Sequence, residues 1–201
     1  MLEKSANEAR APIEFIAEPL RGYHIALAGT HQQWNAALAV TALHRAGVPL
    51  NADIVGHGLS HVSWPGRFEE IRPGVILDGA HNPHAARILA ETWRERFGDR
   101  KAAMVFSTVA AKDTRGILTE LAPLAAEILI CPVDTPRAVP VSEIAALLPE
   151  SAPPHRCFAG FADAFAAAGA TGHPVLVAGS LFLVGEARAQ FTDGDFQPSL
   201  Q

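Results

Sequence analysis

Val75-Ile-Leu-Asp-Gly-Ala-His-Asn-Pro-His84 is the stretch from which the fold is read. Three aliphatic residues in a row suit a strand buried on both faces, and they end in a carboxylate, Asp78. Gly79-Ala-His81 then bends the chain. Asn82-Pro83 has the form of a helix start: the amide caps the first turn, and proline stands where its missing N–H costs nothing. Ala85, Ile88, Leu89, Trp93 and Phe97 follow at three- and four-residue spacing, which predicts an amphipathic helix. Strand, bend and helix together make the first half of a βαβ unit.

The same rhythm runs on toward the C-terminus. Strands are predicted at 75–77, 102–107, 127–133, 156–158 and 174–178. Helices between them are marked by Ile117, Leu118, Leu121 and Leu124, by Ile144, Leu147 and Leu148, and by Phe161, Phe165 and Ala168, with a last one from 181 to about 190. Strict alternation implies a Rossmann-like α/β domain with a mostly parallel sheet and helices on both faces. Right-handed crossovers would gather Asp78, the 107–113 loop and Gly179-Ser180 at the carboxyl edge of that sheet, where such folds bind ligands.

Residues 1–64 break the rhythm. A strand is predicted at 22–29, a helix at 31–46 closed by Gly47 as a left-handed cap, and a further helix at 51–62. So few elements bury their own apolar faces poorly. The expected division is therefore a partial α/β segment at 1–64, ending in a hinge, and a complete domain at 65–201. Trp34, Leu38 and Leu43 would lie on an uncovered face and promote self-association.

Composition excludes several classes. With 49% hydrophobic and 18% charged residues and a net charge of −5 across 201 residues, the chain is globular and lacks the basic face that nucleic acid requires. Arg87, Arg94, Arg96, Arg100 and Lys101 alternate with Glu91, Glu95 and Asp99, the mixture of a solvated helix face. No apolar run approaches the ~20 residues of a membrane helix. Cys131 and Cys157 lack Cys-x-x-Cys spacing and are expected to be buried free thiols, which with the absence of an apolar leader points to the cytoplasm. His57 and His61, and His81 and His84, have helical spacing but no third ligand, so no metal site is expected.

Asp78 admits two readings. A carboxylate at the end of a parallel strand can accept both hydroxyls of a ribose, or it can merely organise the bend that follows it. Arg67, in Pro65-Gly66-Arg67, offers a forked cation suited to phosphate oxygens, or an ordinary hinge ion pair with Glu69 or Glu70.

Gly29-Thr-His-Gln-Gln-Trp-Asn35-Ala, Pro65-Gly66-Arg67 and Asp78-Gly-Ala-His-Asn-Pro83, in that order along the chain, resemble the three nucleotide-contacting motifs of the folylpolyglutamate synthase/dihydrofolate synthase family, a branch of the Mur-type ligases. The resemblance runs from about 22 to 190 and implies roles for individual residues. Asp78 would meet the ATP ribose with His81 beside it, Arg67 would reach the nucleotide from the domain junction, and Asn35 would contact it from the preceding domain. Lys112, Asp113 and Ser180 are further candidates. Ala111-Lys112-Asp113 stands where the family commonly has Asp-Lys-Asp, and Ser107 where it often has Gly, which weakens the case for that loop.

The implied reaction is ATP-dependent addition of glutamate to folate or dihydropteroate through an acyl phosphate. Neither a Gly-x-x-Gly-Lys-Ser/Thr phosphate loop nor counterparts of the Mg²⁺ ligands occur in the chain. It therefore reads as the C-terminal portion of such a ligase, expected to be inactive alone, with no catalytic base to name. The alternatives are a non-catalytic nucleotide-binding or structural module, and a sibling Mur-type peptide ligase.

Overall fold

The computed structural model describes residues 2–191 as two compact units. One comprises residues up to Ala26 together with Thr30–Ser63, and the other Leu27–Gly29 together with the residues from Trp64 onward.

The first unit holds three helices, α1 (Leu2–Ala9), α2 (Gln32–Arg45) and α3 (Ala52–His61). Helix α2 ends as its Gly47 predicts. With Gly47 at φ 74°, the Val48 N–H donates to Leu43 O at 3.0 Å and the Gly47 N–H to His44 O at 3.0 Å, the paired bonds of a left-handed cap. Asn51 caps α3 by accepting the Ile54 N–H at 2.9 Å. The strand expected at 22–29 does not form. Its alternation is real, but it meets no ladder: the Ala26 N–H donates to Leu59 O near the end of α3, and Tyr23 lies beside Gly56. Helix α1 was not anticipated, and none of its residues is buried.

In the second unit six strands form one sheet in the order β1-β2-β6-β3-β4-β5. They are β1 (Glu69–Arg72), β2 (Val75–Asp78), β3 (Ala102–Phe106), β4 (Ala125–Ile130), β5 (His155–Cys157) and β6 (Val175–Ala178). All neighbours pair in parallel except β1, which runs antiparallel to β2 through a tight turn at Pro73-Gly74. The sequence reading missed β1. Glu-Glu-Ile-Arg carries one apolar residue and is exposed at alternate positions, so it looks like a loop until β2 supplies its ladder.

The interior strands read as unbroken apolar runs because each faces two cores. Ile76, Met104, Phe106, Ile128 and Leu176 face one, packed with α4 (Pro83–Phe97), α5 (Thr114–Leu121) and α6 (Val141–Ala146). Leu77, Val105, Leu129 and Val177 face the other, packed with α7 (Phe161–Gly169) and α8 (Leu181–Ala189). Pro123 cuts α5 short and turns Ala122–Leu124 into a 3₁₀ segment, so Leu124 lies outside the helix expected to contain it. Cys131 is buried, as expected. Cys157 is exposed, because β5 is an edge strand whose three residues all face solvent.

Candidate functional site

The carboxyl edge of the sheet collects the ends of β2, β3 and β6, and there the local sequence dictates the geometry. Asp78 closes β2 opposite Ala178 of β6. One carboxylate oxygen accepts the Ala80 N–H at 2.8 Å and the other accepts the Phe68 N–H at 2.9 Å. Burial pushes the Asp78 carboxyl above its ordinary value, opposed by these two amides and by the charges of Arg67 and His81. Asp78 thus does organise its bend. A carboxylate has about four lone-pair directions, so two remain for a ligand's hydroxyls, and the residue keeps partial exposure.

His81 is half-buried, and its Nδ1 lies 2.8 Å from Gly79 O. A carbonyl only accepts, so this nitrogen carries the proton, and Nε2 is the ring's remaining polar atom. Asn82 caps α4 by accepting the Ala85 N–H at 2.8 Å, with Pro83 in the first turn.

Pro65-Gly66-Arg67-Phe68 forms a second bend against the first. Gly66 is buried at φ 70°, and its carbonyl accepts the Gly79 N–H at 2.8 Å. A Cβ there would sit 2.8 Å from Val184 of α8, so only glycine fits. Phe68 is held at φ 44°, a conformation unfavourable for a bulky residue, with its ring 6.4 Å from both Trp93 and Phe97. Arg67, between these two anchored residues, is exposed. The hinge ion pair considered for it does not form. Glu69 pairs with Arg188 and Glu70 with Arg96, and Arg67 has no salt bridge among the described residues. Its charge acts instead on Asp78.

The remaining candidates separate into two groups. Ser180 is buried and caps α8 by accepting the Phe182 N–H at 3.2 Å. Asp113 is exposed and caps α5 by accepting the Gly116 N–H at 2.9 Å, and that helix start abuts Pro83. Lys112 is exposed beside it, following Ala111 at φ 67°. Asn35 belongs to the first unit, where it is exposed in the first turn of α2 and donates to Gln32 at 2.9 Å. The structure therefore brings Arg67, Asp78 and His81 together, with Ser180 at the start of the neighbouring helix.

Sequence reasoning overlooked two features of this edge. Gly179 sits at φ 102°, and a Cβ on it would fall on the Ser107 carbonyl and 2.5 Å from the Phe106 ring. The Ser107 hydroxyl is fully buried and lacks a hydrogen-bond partner among the described residues. The glycine was visible in the sequence, but its positive φ was not. Among the described residues no group of three or more His, Cys, Asp or Glu side chains could hold a metal ion. Nor is any helix among them long and apolar enough to cross a membrane.

The family model for the Mur ligase glutamate ligase domain matches residues 66–181. The chain is 37% identical over 122 residues to the dihydrofolate synthase/folylpolyglutamate synthase of Bacillus subtilis, covering 56% of this chain and 27% of that protein. It is 37% identical over 140 residues to the enzyme of that name from Mycobacterium tuberculosis, covering 66% and 29%. The solved structure of Mycobacterium tuberculosis folylpolyglutamate synthase complexed with ADP superposes over 98% of this chain and 52% of that one, with a TM-score of 0.85 at 27% identity. The chain spans about half the length of that structure, and its matches cover under a third of the two relatives. With a family match over more than half its length and a site built on that segment, the chain belongs to the Mur ligases, as a bearer of their glutamate ligase domain.

Proposed function

We propose that this chain supplies the nucleotide-closing part of an ATP-dependent ligase that adds glutamate to folate or dihydropteroate. The observation that carries this reading is that Asp78 and the exposed Arg67 sit on two bends interlocked by backbone hydrogen bonds at the carboxyl edge of the sheet. A carboxylate suits the vicinal hydroxyls of a ribose, and a forked cation suits phosphate oxygens. His81 stands on the same bend as Asp78, beside the proposed ribose contact, and the start of α8 at Ser180 follows the neighbouring strand end. The ADP in the Mycobacterium tuberculosis structure is consistent with ATP as the phosphoryl donor here.

In this scheme ATP phosphorylates the substrate carboxylate, and the amino group of glutamate displaces phosphate to form the amide. This chain's residues bind and orient, and they hold one cation toward developing negative charge. The two interlocked bends offer the triphosphate a single guanidinium, that of Arg67. Residues 1–64 are proposed to be the tail of the preceding ATPase domain, from which Asn35 would reach the nucleotide. The exposed Trp34, Leu38 and Leu43 would then meet the rest of that domain or, in its absence, another copy of this chain.

Titration of the 201-residue chain with ATP and Mg²⁺, alongside glutamate incorporation into dihydropteroate, tests this proposal. One or two charged contacts, after ordering costs, correspond to a dissociation constant of about a millimolar or weaker. Weak binding lost in Asp78→Ala, with no turnover, is expected. Unchanged binding in that variant would overturn the assignment of Asp78.

A further inference from the structure

We infer that Glu69 is a positioning residue for Arg67: its carboxylate clasps the bend that presents Arg67 and ties it to α8. The inference rests on the proposed role of Arg67 toward nucleotide phosphates. Its geometric basis is independent of that role.

Glu69 opens β1, and its side chain is 21% exposed. One carboxylate oxygen accepts the Gly66 N–H at 2.8 Å. Both oxygens lie 3.0 Å from Nε of Arg188, a residue 119 positions away near the end of α8. Val184, one helical turn before Arg188, is the side chain against which Gly66 packs. The same face of α8 therefore meets the bend twice, by apolar contact at Gly66 and by charge at Glu69.

Three further bonds complete the clamp. The Gly79 N–H donates to Gly66 O, the Phe68 N–H donates to Asp78, and the Arg67 N–H donates to Trp64 O at 3.2 Å. Gly66 and Phe68 both adopt positive φ, which neither a free peptide nor a mobile hinge would hold for a phenylalanine. Of the three residues 66–68, Arg67 alone extends an unanchored side chain to solvent. A charged carboxylate bonded to both an amide and a guanidinium makes charge-assisted bonds, stronger than neutral ones. The clasp thereby fixes the 65–66 peptide, while the Gly79 and Trp64 bonds hold the 66–67 peptide from which the Arg67 side chain starts.

The test uses the full 201-residue chain, with amide hydrogen exchange at Gly66 and Arg67 and NMR-monitored titration with ATP, well below the melting temperature of every variant. Glu69→Ala should expose the Gly66 amide to rapid exchange and weaken ATP binding roughly three- to tenfold, part of what one charged contact contributes. Glu69→Gln keeps a neutral acceptor for the Gly66 N–H and should recover most of that affinity. Arg188→Met should lower the melting temperature and cost less affinity than Glu69→Ala, since Glu69 still holds Gly66. Arg67→Ala marks the limit, about tenfold or more.

Two results overturn the inference. If Arg67→Ala weakens ATP binding while Glu69→Ala lowers only the melting temperature, the clasp is structural and the proposed function stands. If Arg67→Ala leaves binding unchanged, the role of Arg67 toward nucleotide fails, and the positioning role fails with it.

Discussion

The Asp78 carboxylate accepts the backbone N–H of Phe68, ten residues upstream and held at a positive φ, at a distance of 2.9 Å. One side chain thereby couples the bend after β2 to the bend that carries Arg67. The residue proposed to meet a ribose is also a structural strut, and the two roles separate experimentally.

Asp78→Ala strands the Phe68 and Ala80 amides. Each buried unpaired donor costs about 1–3 kcal/mol, and partial access to water favours the lower end, so a loss of roughly 2 kcal/mol is expected in urea denaturation. A loss too small to measure would show that water replaces the carboxylate without penalty.

The pH dependence has a defined sign. Burial raises the folded-state Asp78 carboxyl, so the folded chain binds that proton more tightly than the unfolded one. The associated stability is full below the ordinary aspartate range and is lost as pH rises through the raised folded value. Asp78→Asn carries no such proton, so the wild type's stability relative to this variant should fall as pH rises from the ordinary aspartate range through the raised folded value. Urea denaturation of both proteins across that range checks this, and a difference that grew with pH would contradict it.

Gly179 and Gly79 respond differently to substitution. Gly179→Ala forces a side chain into φ 102° and onto the Ser107 carbonyl, which cannot move without breaking the β3 end. A loss of about 3 kcal/mol or more is expected. At Gly79 the added methyl overlaps only the tip of Leu181, an exposed and rotatable side chain, so Gly79→Ala should cost about 1 kcal/mol or less. Thermal melts of the two variants decide the order.

The two thiols differ in reactivity. Burial, reinforced by Glu186, pushes Cys131 up to about 12, so it stays a protonated, inaccessible thiol at any working pH. Cys157 is exposed. One equivalent of a thiol reagent should react with the native chain at pH 8 and two in denaturant. Fast labelling of both in the native state would place Cys131 elsewhere.

Trp34, Leu38 and Leu43 are 46%, 58% and 43% exposed, all on one fourteen-residue helix. Light scattering should show concentration-dependent association, relieved by Trp34→Ser with Leu38→Ser. A monomer at every concentration would remove self-association from the proposed properties.

Periodicity alone determined the alternating strands and helices from Val75 to Ala189, because a strand buried between two cores and a helix with one apolar stripe leave distinct patterns in sequence. Local chemistry also announced its own caps: Gly47 and Asn82-Pro83 act within a few residues of themselves. Tertiary structure decided what depends on partners distant in the chain. β1 exists because β2 offers it a ladder, and 22–29 forms no strand because nothing does. Glu69 meets Arg188 across 119 residues, and Gly179 needs its missing Cβ because Ser107 closes over it. Periodicity and capping act over a turn or two of chain, whereas the pairings that hold Arg67 and Asp78 together are set by how the sheet and α8 pack, which no local pattern encodes.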